Sequence, residues 1–282
     1  MLVSIYMPTK NRADLVQRAA ASVLNQTHRQ IELLIVDDGS TDETPRVLDT
    51  LKEQDARVRV FRNEASKGAP FSRNLAISNA GGEWITGIDD DDTFHPRRIS
   101  SLIDYWQLLA AANVPFSCLY TQDIYDDGAT QEISSKRGTV TWTDMLEFNV
   151  VGNQIFTLTD RIKASGMFDV EMPAWQDLDL FIRVLKQFGP AKLLDAALYT
   201  LNIDERLDRI SRSKKAKILT AFERVSAKHP DIDDRLRQAL FLQVFVKLYK
   251  HQPDLRDALR FFSFGWYYPN ARRFLSHLLK RA

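Results

Sequence analysis

The fold is decided by the stretch Ile31-Glu32-Leu33-Leu34-Ile35-Val36-Asp37-Asp38-Gly39-Ser40-Thr41-Asp42. Its first part is almost wholly apolar, which is typical of a strand buried on both faces of a parallel sheet. The Asp, Gly and Ser residues that follow favour a turn, and Thr41 or Asp42 is suited to cap a helix. The stretch therefore predicts a strand, a turn and a crossover helix, the repeating unit of an α/β sheet.

The same alternation extends through the first hundred residues. Further apolar runs predict strands at 2–7, 58–61 and 84–88. Helix-period segments lie at about 15–24 and 70–79, and Pro96 is suited to open the next helix. A later strand is expected near 116–121, followed by a hairpin-like turn at 126–128. We therefore expect a doubly wound, mostly parallel sheet with flanking helices, whose ligands bind at the carboxyl ends of the strands.

Composition excludes several classes of protein. The chain has 282 residues, of which 44% are hydrophobic and 27% charged, so disorder, collagen and coiled coil are ruled out. A net charge of +1 gives no basic excess for nucleic-acid binding. The single cysteine, Cys118, excludes an internal disulfide and is expected to be a small buried apolar residue. The N-terminal residues are expected to form a first strand and not a signal peptide, no apolar run is long enough to span a membrane, and we expect a cytoplasmic protein.

Four consecutive aspartates, Asp89–Asp92, follow the strand at 84–88. Like charges in a row raise the cost of ionising one another, so a cation is expected nearby. In an extended segment Asp89 and Asp91 would face the same way and share a ligand, with Asp90 facing back. Their hard oxygen atoms select Mg²⁺ or Mn²⁺, which substrate phosphates can also hold. The alternative is a solvated loop with capping carboxylates, but the buried strand before it favours the site.

Several sequence blocks follow one another along residues 2–211. They are 3–12, 22–27 and 32–42, then Gly68 with Ser72-Arg73-Asn74, then 82–96, and finally 166–169 with 175–183. In this order they resemble family 2 glycosyltransferases of the GT-A fold. The resemblance implies a GT-A catalytic domain at 1–211, divided into a nucleotide-sugar-binding half at 1–98 and an acceptor-binding half at 99–211.

The resemblance also implies the residues that bind a nucleotide-diphosphate sugar. They are Pro8, Thr9, Asn11, Arg12, Asp37, Asp38, Lys67, Arg73, Asp89, Asp90, Arg209 and Ser211. Asp37 is expected to accept the imide N–H of uracil. Structural roles remain open for two of them: a turn for Asp38 and a surface ion pair for Arg73. A solvated basic stretch is the alternative at Arg209, because the Arg-x-His often found there is absent.

Metal and catalytic roles are implied in the same way. Asp91, assisted by Asp89, corresponds to the ligand of Mn²⁺ or Mg²⁺. Asp177 matches the general base of inverting members, and such a base typically accelerates a reaction about 10²–10⁴-fold.

Two neighbours of Asp177 are expected to contact the acceptor. They are Trp175, for which core packing is the alternative, and Gln176, which stands where the family usually has glutamate. Asp179 is instead expected to form an ion pair with Arg183.

Residues 212–282 lie outside the resemblance and are expected to form a helical extension. Its last thirty or so residues interleave seven aromatic side chains with six basic and two acidic ones. This composition suits an interfacial helix on an anionic membrane. Packing of the aromatic rings on the catalytic domain, or within a homo-oligomer, is the alternative.

The expected function is metal-assisted, inverting transfer of a sugar to a hydroxyl group of a glycan or lipid-linked acceptor in cell-surface polysaccharide biosynthesis. The donor is expected to be a UDP-sugar, and the site of action the cytoplasm or the inner face of the cytoplasmic membrane. A sugar-nucleotide pyrophosphorylase is one alternative, although the first strand is followed by no glycine-rich loop. A non-catalytic nucleotide- or glycan-binding protein is the other, although both Asp91 and Asp177 are present.

Overall fold

The computed structural model describes residues 1–152, 154–203, 215–246, 249 and 251–279. Its strands are β1 Val3–Thr9, β2 Ile31–Asp37, β3 Val58–Arg62, β4 Trp84–Gly87, β5 Thr93–Phe94, β6 Cys118–Asp126, β7 Gln131–Ile133, β8 Thr139–Val140, β9 Thr157–Leu158 and β10 Ala191–Asn202. Its helices are α1 Ala13–Leu24, α2 Thr44–Gln54, α3 Ala69–Ser78, α4 Arg98–Ala111, α5 Trp142–Glu147, α6 Thr159–Ala164, α7 Gln176–Phe188, α8 Lys215–Lys228, α9 Asp234–Leu242, α10 Leu255–Ser263 and α11 Tyr268–Leu279.

The first sheet has the strand order β3-β2-β1-β4-β9. Its first four strands are parallel, and β9 pairs antiparallel with β4. The register places Thr9 beside Asp37, so the carboxyl ends of β1 and β2 meet at one edge. The predicted mostly parallel sheet with flanking helices is confirmed, and the four predicted strands are correct to within two residues.

A second sheet has the order β5-β10-β6-β7. β5 pairs with the end of β10, and β8 pairs with its first two residues. The predicted strand near 116–121 is the beginning of the longer β6, and the predicted turn at 126–128 joins β6 to β7. Leu119 and Phe156 exchange two backbone hydrogen bonds of 2.8 Å, which link the second sheet to the strand region of the first. The sequence analysis did not predict β10, the strand on which this sheet is centred.

Two hydrophobic cores lie on opposite faces of the first sheet. Along β1, Ile5 and Met7 point into one core with α1, α2 and α4, whereas Tyr6 points into the other. This division follows from the alternation of side chains along a strand. The second core contains α7 and continues into α8–α11, with Phe261 and Phe274 both fully buried. Cys118 is buried there too, as expected.

Two helix starts differ from the expected ones. α4 begins at Arg98, two residues after Pro96. α2 begins at Thr44, and Asp42 accepts a hydrogen bond of 2.9 Å from the Thr44 N–H in the preceding turn without being the N-cap residue. Among the described residues, no helix is both long and apolar enough to cross a membrane.

Candidate active site

The site begins where β1 and β2 end. Thr9 is buried beside Asp37, and its hydroxyl donates a 2.7 Å hydrogen bond to Asp90 Oδ2. The Asp38 N–H donates to the Thr9 carbonyl at 2.9 Å, which continues the pairing of the two strands into the turn. Carboxylates from β2 and from the turn after β4 are thereby brought to one edge of the sheet.

Asp37 holds a buried acceptor atom at this edge. Its side chain is only 1% exposed, and Oδ1 accepts a hydrogen bond of 2.8 Å from the Ser40 N–H. Oδ2 is buried and accepts no hydrogen bond from the described residues, although Arg62 Nε lies 3.4 Å away. An acceptor without a hydrogen bond is costly to bury, so this atom is suited to a ligand that donates an N–H.

Asp38 serves the loop that follows β3. Its carboxylate accepts hydrogen bonds from the backbone N–H of Lys67 and Gly68, at 2.8 and 2.9 Å, and from the Ser66 hydroxyl at 2.6 Å. Asn63 and Ser72 donate to it as well. Burial would raise the pKa of Asp38, but these donors lower it below the usual range. The Asp38 carboxylate therefore has a structural role in the loop at 63–68, which differs from the turn at 38–40 that was its alternative.

Four other predicted donor residues surround the same edge. Pro8 is the penultimate residue of β1. Asn11 has a left-handed backbone with φ of 52°, and its side chain accepts a 2.8 Å hydrogen bond from the Thr41 N–H. Arg12 pairs with Asp90 Oδ1 at 2.9 Å and Asp91 Oδ2 at 3.1 Å. Lys67 is exposed, with its ammonium 4.4 Å from the centre of the Phe71 ring.

The four aspartates form a turn, so the expected extended segment is wrong. The Asp92 N–H donates to the Asp89 carbonyl at 3.1 Å. Asp90 is buried against Thr9 and Arg12, and burial raises its pKa to about 6. Asp89 and Asp91 remain partly exposed at the site. The turn therefore buries the side chains of Asp90 and Asp92 and leaves those of Asp89 and Asp91 accessible to a ligand.

Tyr199 of β10 is hydrogen-bonded to both ends of this turn. Its hydroxyl donates to Asp92 Oδ2 at 2.8 Å and accepts from the Asp89 N–H at 3.3 Å. Burial, together with the charges of Asp89 and Asp91, raises the pKa of Asp92 well above its usual value. The sequence analysis missed Tyr199 because the contact joins residues more than a hundred positions apart.

Arg73 lies between two of the predicted functional carboxylates. Its guanidinium is buried, with Nη2 donating to Asp89 Oδ1 at 2.8 Å and Nη1 lying 3.7 Å from Asp177 Oδ1. Burial alone would lower the pKa of Arg73, but Asp177 and Asp89 raise it. Arg73 is therefore a buried bridge between these two acids, not the surface ion pair that was its alternative.

Asp177 stands in the first turn of α7, with a quarter of its side chain exposed. Its Oδ1 is buried and accepts no hydrogen bond from the described residues. Burial raises the pKa of Asp177 to about 6, Arg73 opposes this rise and Asp89 adds to it. A carboxylate with a pKa near 6 is suited to exchange a proton with a substrate near neutral pH.

Tyr6 and Gln154 complete the cluster around Asp89. The Tyr6 hydroxyl donates to Gln154 Oε1 at 3.1 Å, and Gln154 Nε2 lies 3.4 Å from Asp89 Oδ1. Gly87 makes room for them, because a Cβ there would lie 2.0 Å from Gln154 Oε1 and 2.3 Å from Tyr6 Cε2. Gln154 belongs to no motif in the sequence. The only indication of this cluster in the sequence was Tyr6, whose polar hydroxyl lies in a strand that was expected to be buried.

The acceptor-side residues precede α7. Trp175 has a left-handed backbone with φ of 59° and donates from Nε1 to the Tyr249 hydroxyl at 3.0 Å. Its ring is buried in the core, in agreement with the packing alternative. Gln176 Nε2 lies 3.3 Å from the Met172 carbonyl. Asp179 pairs with Arg183 at 2.8 Å, which confirms that ion pair.

A divalent metal fits this site only with help from the substrate. Among the residues described, no three His, Cys, Asp or Glu side chains converge as a metal site. Asp89 and Asp91 nevertheless offer hard carboxylate oxygens at the accessible side of the turn, where diphosphate oxygens could complete the ligand set. The predicted donor contacts Arg209 and Ser211 lie outside the described residues.

Comparison with known proteins reveals several relatives. The model of the family "Glycosyl transferase family 2" matches residues 4–171. The putative colanic acid biosynthesis glycosyl transferase WcaA of Escherichia coli K12 is 35% identical over 242 residues, which make up 83% of this chain and 83% of WcaA. The GalNAc(5)-diNAcBac-PP-undecaprenol beta-1,3-glucosyltransferase of Campylobacter jejuni is 34% identical over 102 residues, 36% of this chain and 34% of that enzyme.

The fold is also similar to that of a solved protein. The crystal structure of S. aureus TarS 1-349 in complex with UDP-GlcNAc superimposes with a TM-score of 0.70 and covers 99% of this chain and 80% of that chain. The two sequences are 18% identical, so this similarity concerns the fold alone. It confirms the predicted fold class, a GT-A sheet followed by C-terminal helices.

Proposed function

The chain belongs to glycosyl transferase family 2, and from that premise we propose that it catalyses inverting transfer of a sugar from a nucleotide-diphosphate donor to a hydroxyl group of a bacterial cell-surface glycan. As a member of that family the protein is a glycosyltransferase, so the pyrophosphorylase and non-catalytic alternatives lose their basis. In the proposal, residues 1–98 bind the donor, 99–211 the acceptor, and 212–282 form the extension.

One observation carries the proposal: Arg73 joins Asp89 to Asp177. The donor side and the acceptor side come from distant parts of the sequence, yet one buried guanidinium lies 2.8 Å from the first acid and 3.7 Å from the second. A base must lie beside the bond that breaks, because proximity and orientation supply much of the rate gain. The position of Arg73 supports a common site for the leaving diphosphate and the general base.

The donor would lie across the carboxyl ends of β1, β2 and β4. The buried Oδ2 of Asp37 is suited to accept the imide N–H of uracil, and the UDP-GlcNAc bound to TarS supports UDP as the nucleotide. Asp89 and Asp91 would hold Mn²⁺ or Mg²⁺ with the diphosphate. Such an ion, when bound, offsets the negative charge that develops on the leaving group. Asp38 would act through the loop at 63–68 and not by touching the donor.

Asp177 would act on the acceptor. Its carboxylate takes the proton of the acceptor hydroxyl while the oxygen attacks C1 of the donor sugar, and the C1–O bond to the diphosphate breaks with its electron pair leaving on the nucleoside diphosphate. A single displacement of this kind inverts the configuration at C1. The pKa of about 6 leaves Asp177 ionised near neutral pH and still basic enough to accept the proton.

The relatives support a carbohydrate acceptor. WcaA is named for colanic acid biosynthesis, and the Campylobacter enzyme for a sugar chain on undecaprenyl diphosphate. We therefore propose a hydroxyl group of a glycan, either free or carried on a lipid, as the acceptor. A lipid-linked acceptor would place the enzyme at the inner face of the cytoplasmic membrane.

A screen of nucleotide sugars tests this proposal. Purified protein is mixed with UDP-, GDP- and CMP-sugars with and without Mn²⁺, and the melting temperature and donor hydrolysis are measured. We expect UDP-sugars to stabilise the protein most, and only when the ion is present. An Asp37→Ala variant should bind UDP at least about tenfold more weakly, because the variant lacks the carboxylate that accepts the N–H of uracil. Stabilisation by no nucleotide sugar would contradict the proposal.

A further inference from the structure

The outer face of α10 is apolar. Leu255, Leu259 and Phe262 recur at helical spacing, and Trp266 stacks on Phe262 with ring centroids 5.1 Å apart. Leu255, Leu259 and Trp266 are 76%, 67% and 66% exposed. We call these four side chains the apolar ridge. Large apolar side chains gathered on one face of a helix, in contact with water, indicate a surface that meets a partner.

The opposite face of α10 is fixed to the protein. Phe261 is fully buried and stacks on Phe274 of α11, with ring centroids 4.2 Å apart. Gln238 of α9 donates to the Phe261 carbonyl at 3.1 Å. Because the inner face is packed in this way, α10 cannot rotate to bury the ridge without losing the stack, so the ridge stays at the surface.

The exposed charged side chains of α10 and α11 are mainly basic. Arg256, Arg272 and Arg273 are exposed on α10 and α11. Asp254, the N-cap residue of α10, is exposed and accepts a hydrogen bond from Lys215 Nζ at 3.0 Å, and the buried Asp257 also pairs with Lys215. Lys215 offsets one of these two carboxylates, so the three exposed arginines still leave this surface net basic and complementary to a negatively charged one.

We propose that this surface docks on a bilayer containing anionic phospholipid. Leu255, Leu259 and Trp266 enter the boundary between headgroups and acyl chains, and the three arginines lie at the lipid phosphates. Two copies packed ridge to ridge would instead bring their arginines together, which disfavours a symmetric dimer. Docking would bring the enzyme to a lipid-linked acceptor, and in this respect it rests on the proposed function.

The surface is also connected to the acceptor side of the site. Tyr249 lies shortly before α10 and accepts the hydrogen bond of Trp175, two residues before Asp177. The same hydrophobic core contains Trp175 and Phe261. Docking through α10 would therefore hold the acceptor side at a fixed position relative to the membrane.

Flotation with lipid vesicles tests the inference on the full chain. Vesicles of phosphatidylcholine alone are compared with vesicles that also contain phosphatidylglycerol, in low salt, and we expect the protein to float only with the second. Vesicles with brominated acyl chains should quench the fluorescence of Trp266, since the other four tryptophans are buried or half-buried. Trp266→Phe should remove that quenching. Failure of the full chain to bind anionic vesicles would overturn the inference.

Variants locate the surface. Leu255→Ser with Leu259→Ser should lower the vesicle partition coefficient at least about tenfold. The double variant Arg272→Glu with Arg273→Glu should lower the partition coefficient at least about fivefold for each arginine replaced. The matched control is Leu108→Ser on α4, where Leu108 is 63% exposed, and it should bind like the wild type.

The outcomes separate the two proposals. The α10 and α11 variants should keep the wild-type rate of donor hydrolysis in solution. Equal vesicle binding by all variants, or a solution dimer that Leu259→Ser dissociates without any vesicle binding, would overturn membrane docking. If instead the role of Asp177 is wrong, vesicle binding persists while the transfer assay fails to respond to substitution of Asp177.

Discussion

Replacing Asp177 with asparagine should slow the enzyme and stabilise the fold at the same time. The substitution keeps the shape of the side chain but removes its charge and its ability to accept a proton. Donor affinity should hold, whereas kcat should fall by about 10² or more, the scale of a lost general base. A residue with a purely structural role would give the opposite effect on stability.

The magnitude of the stability gain follows from the raised pKa. The rise of the Asp177 pKa from 3.8 to about 6 corresponds to about 3 kcal/mol at neutral pH. A quarter of the side chain is exposed, and water there reduces the cost of the charge, so we expect a gain of about 1–2 kcal/mol at pH 7. Because the folded state binds this proton more tightly than the unfolded state, the cost appears only as pH rises from about 4 to 6. The gain in unfolding free energy of Asp177→Asn over the wild type should therefore be almost absent near pH 4.

Asp179→Asn is the matched control, two residues along the same helix. The side chain of Asp179 is fully buried and pairs with Arg183 and Lys228, each at 2.8 Å. Its removal leaves the Arg183 guanidinium without a carboxylate partner, whereas Lys228 keeps its pair with Asp169 at 2.7 Å. We expect a cost of about 2–4 kcal/mol, with kcat within about threefold of wild type. Urea unfolding at pH 4 and pH 7, together with single-turnover kinetics, measures both effects. Loss of stability in Asp177→Asn at pH 7, or near-normal turnover, would refute the reasoning.

Further predictions concern the metal, the donor loop and pH. Asp91→Ala should abolish Mn²⁺-dependent nucleotide binding and transfer while the circular dichroism spectrum is unchanged, and calorimetry with and without a chelator measures this; an active variant would remove Asp91 from the metal site. Asp38→Ala should lower the free energy of unfolding by about 2–4 kcal/mol, because several donors lose their acceptor, and should weaken nucleotide binding through the loop at 63–68. The wild-type kcat/KM should rise with pH around a midpoint near 6, as Asp177 loses its proton; a rate that is flat from pH 5 to 8 would count against the base.

The four parallel strands of the first sheet were predictable because their apolar runs are short, dense and bounded by turn residues. β2 was expected at 31–36 and ends at Asp37. By contrast, β10 carries a mixed pattern of buried and half-buried side chains, which gives no clear two-residue period. Its place in the second sheet depends on pairing with β6, a contact between distant parts of the chain.

Motifs in the sequence nominate candidate site residues, but they do not give the partners of those residues. The positions of Asp89, Asp91 and Asp177 follow from motifs, but the link through Arg73 depends on how α3 packs against the strand ends and α7. The same holds for Asp38, whose donors lie some thirty residues later. Gln154 and Tyr199 belong to no motif, so only the folded structure brings them to Asp89.

The anomeric configuration of the transferred sugar tests the central claim most directly. Once the donor screen has identified a substrate, the product formed by the wild-type enzyme is isolated and its anomeric centre is assigned by NMR. A single displacement assisted by Asp177 predicts that the configuration at C1 is the opposite of that in the donor. Retention of the donor's configuration would contradict the account, because a single in-line displacement assisted by Asp177 must invert C1.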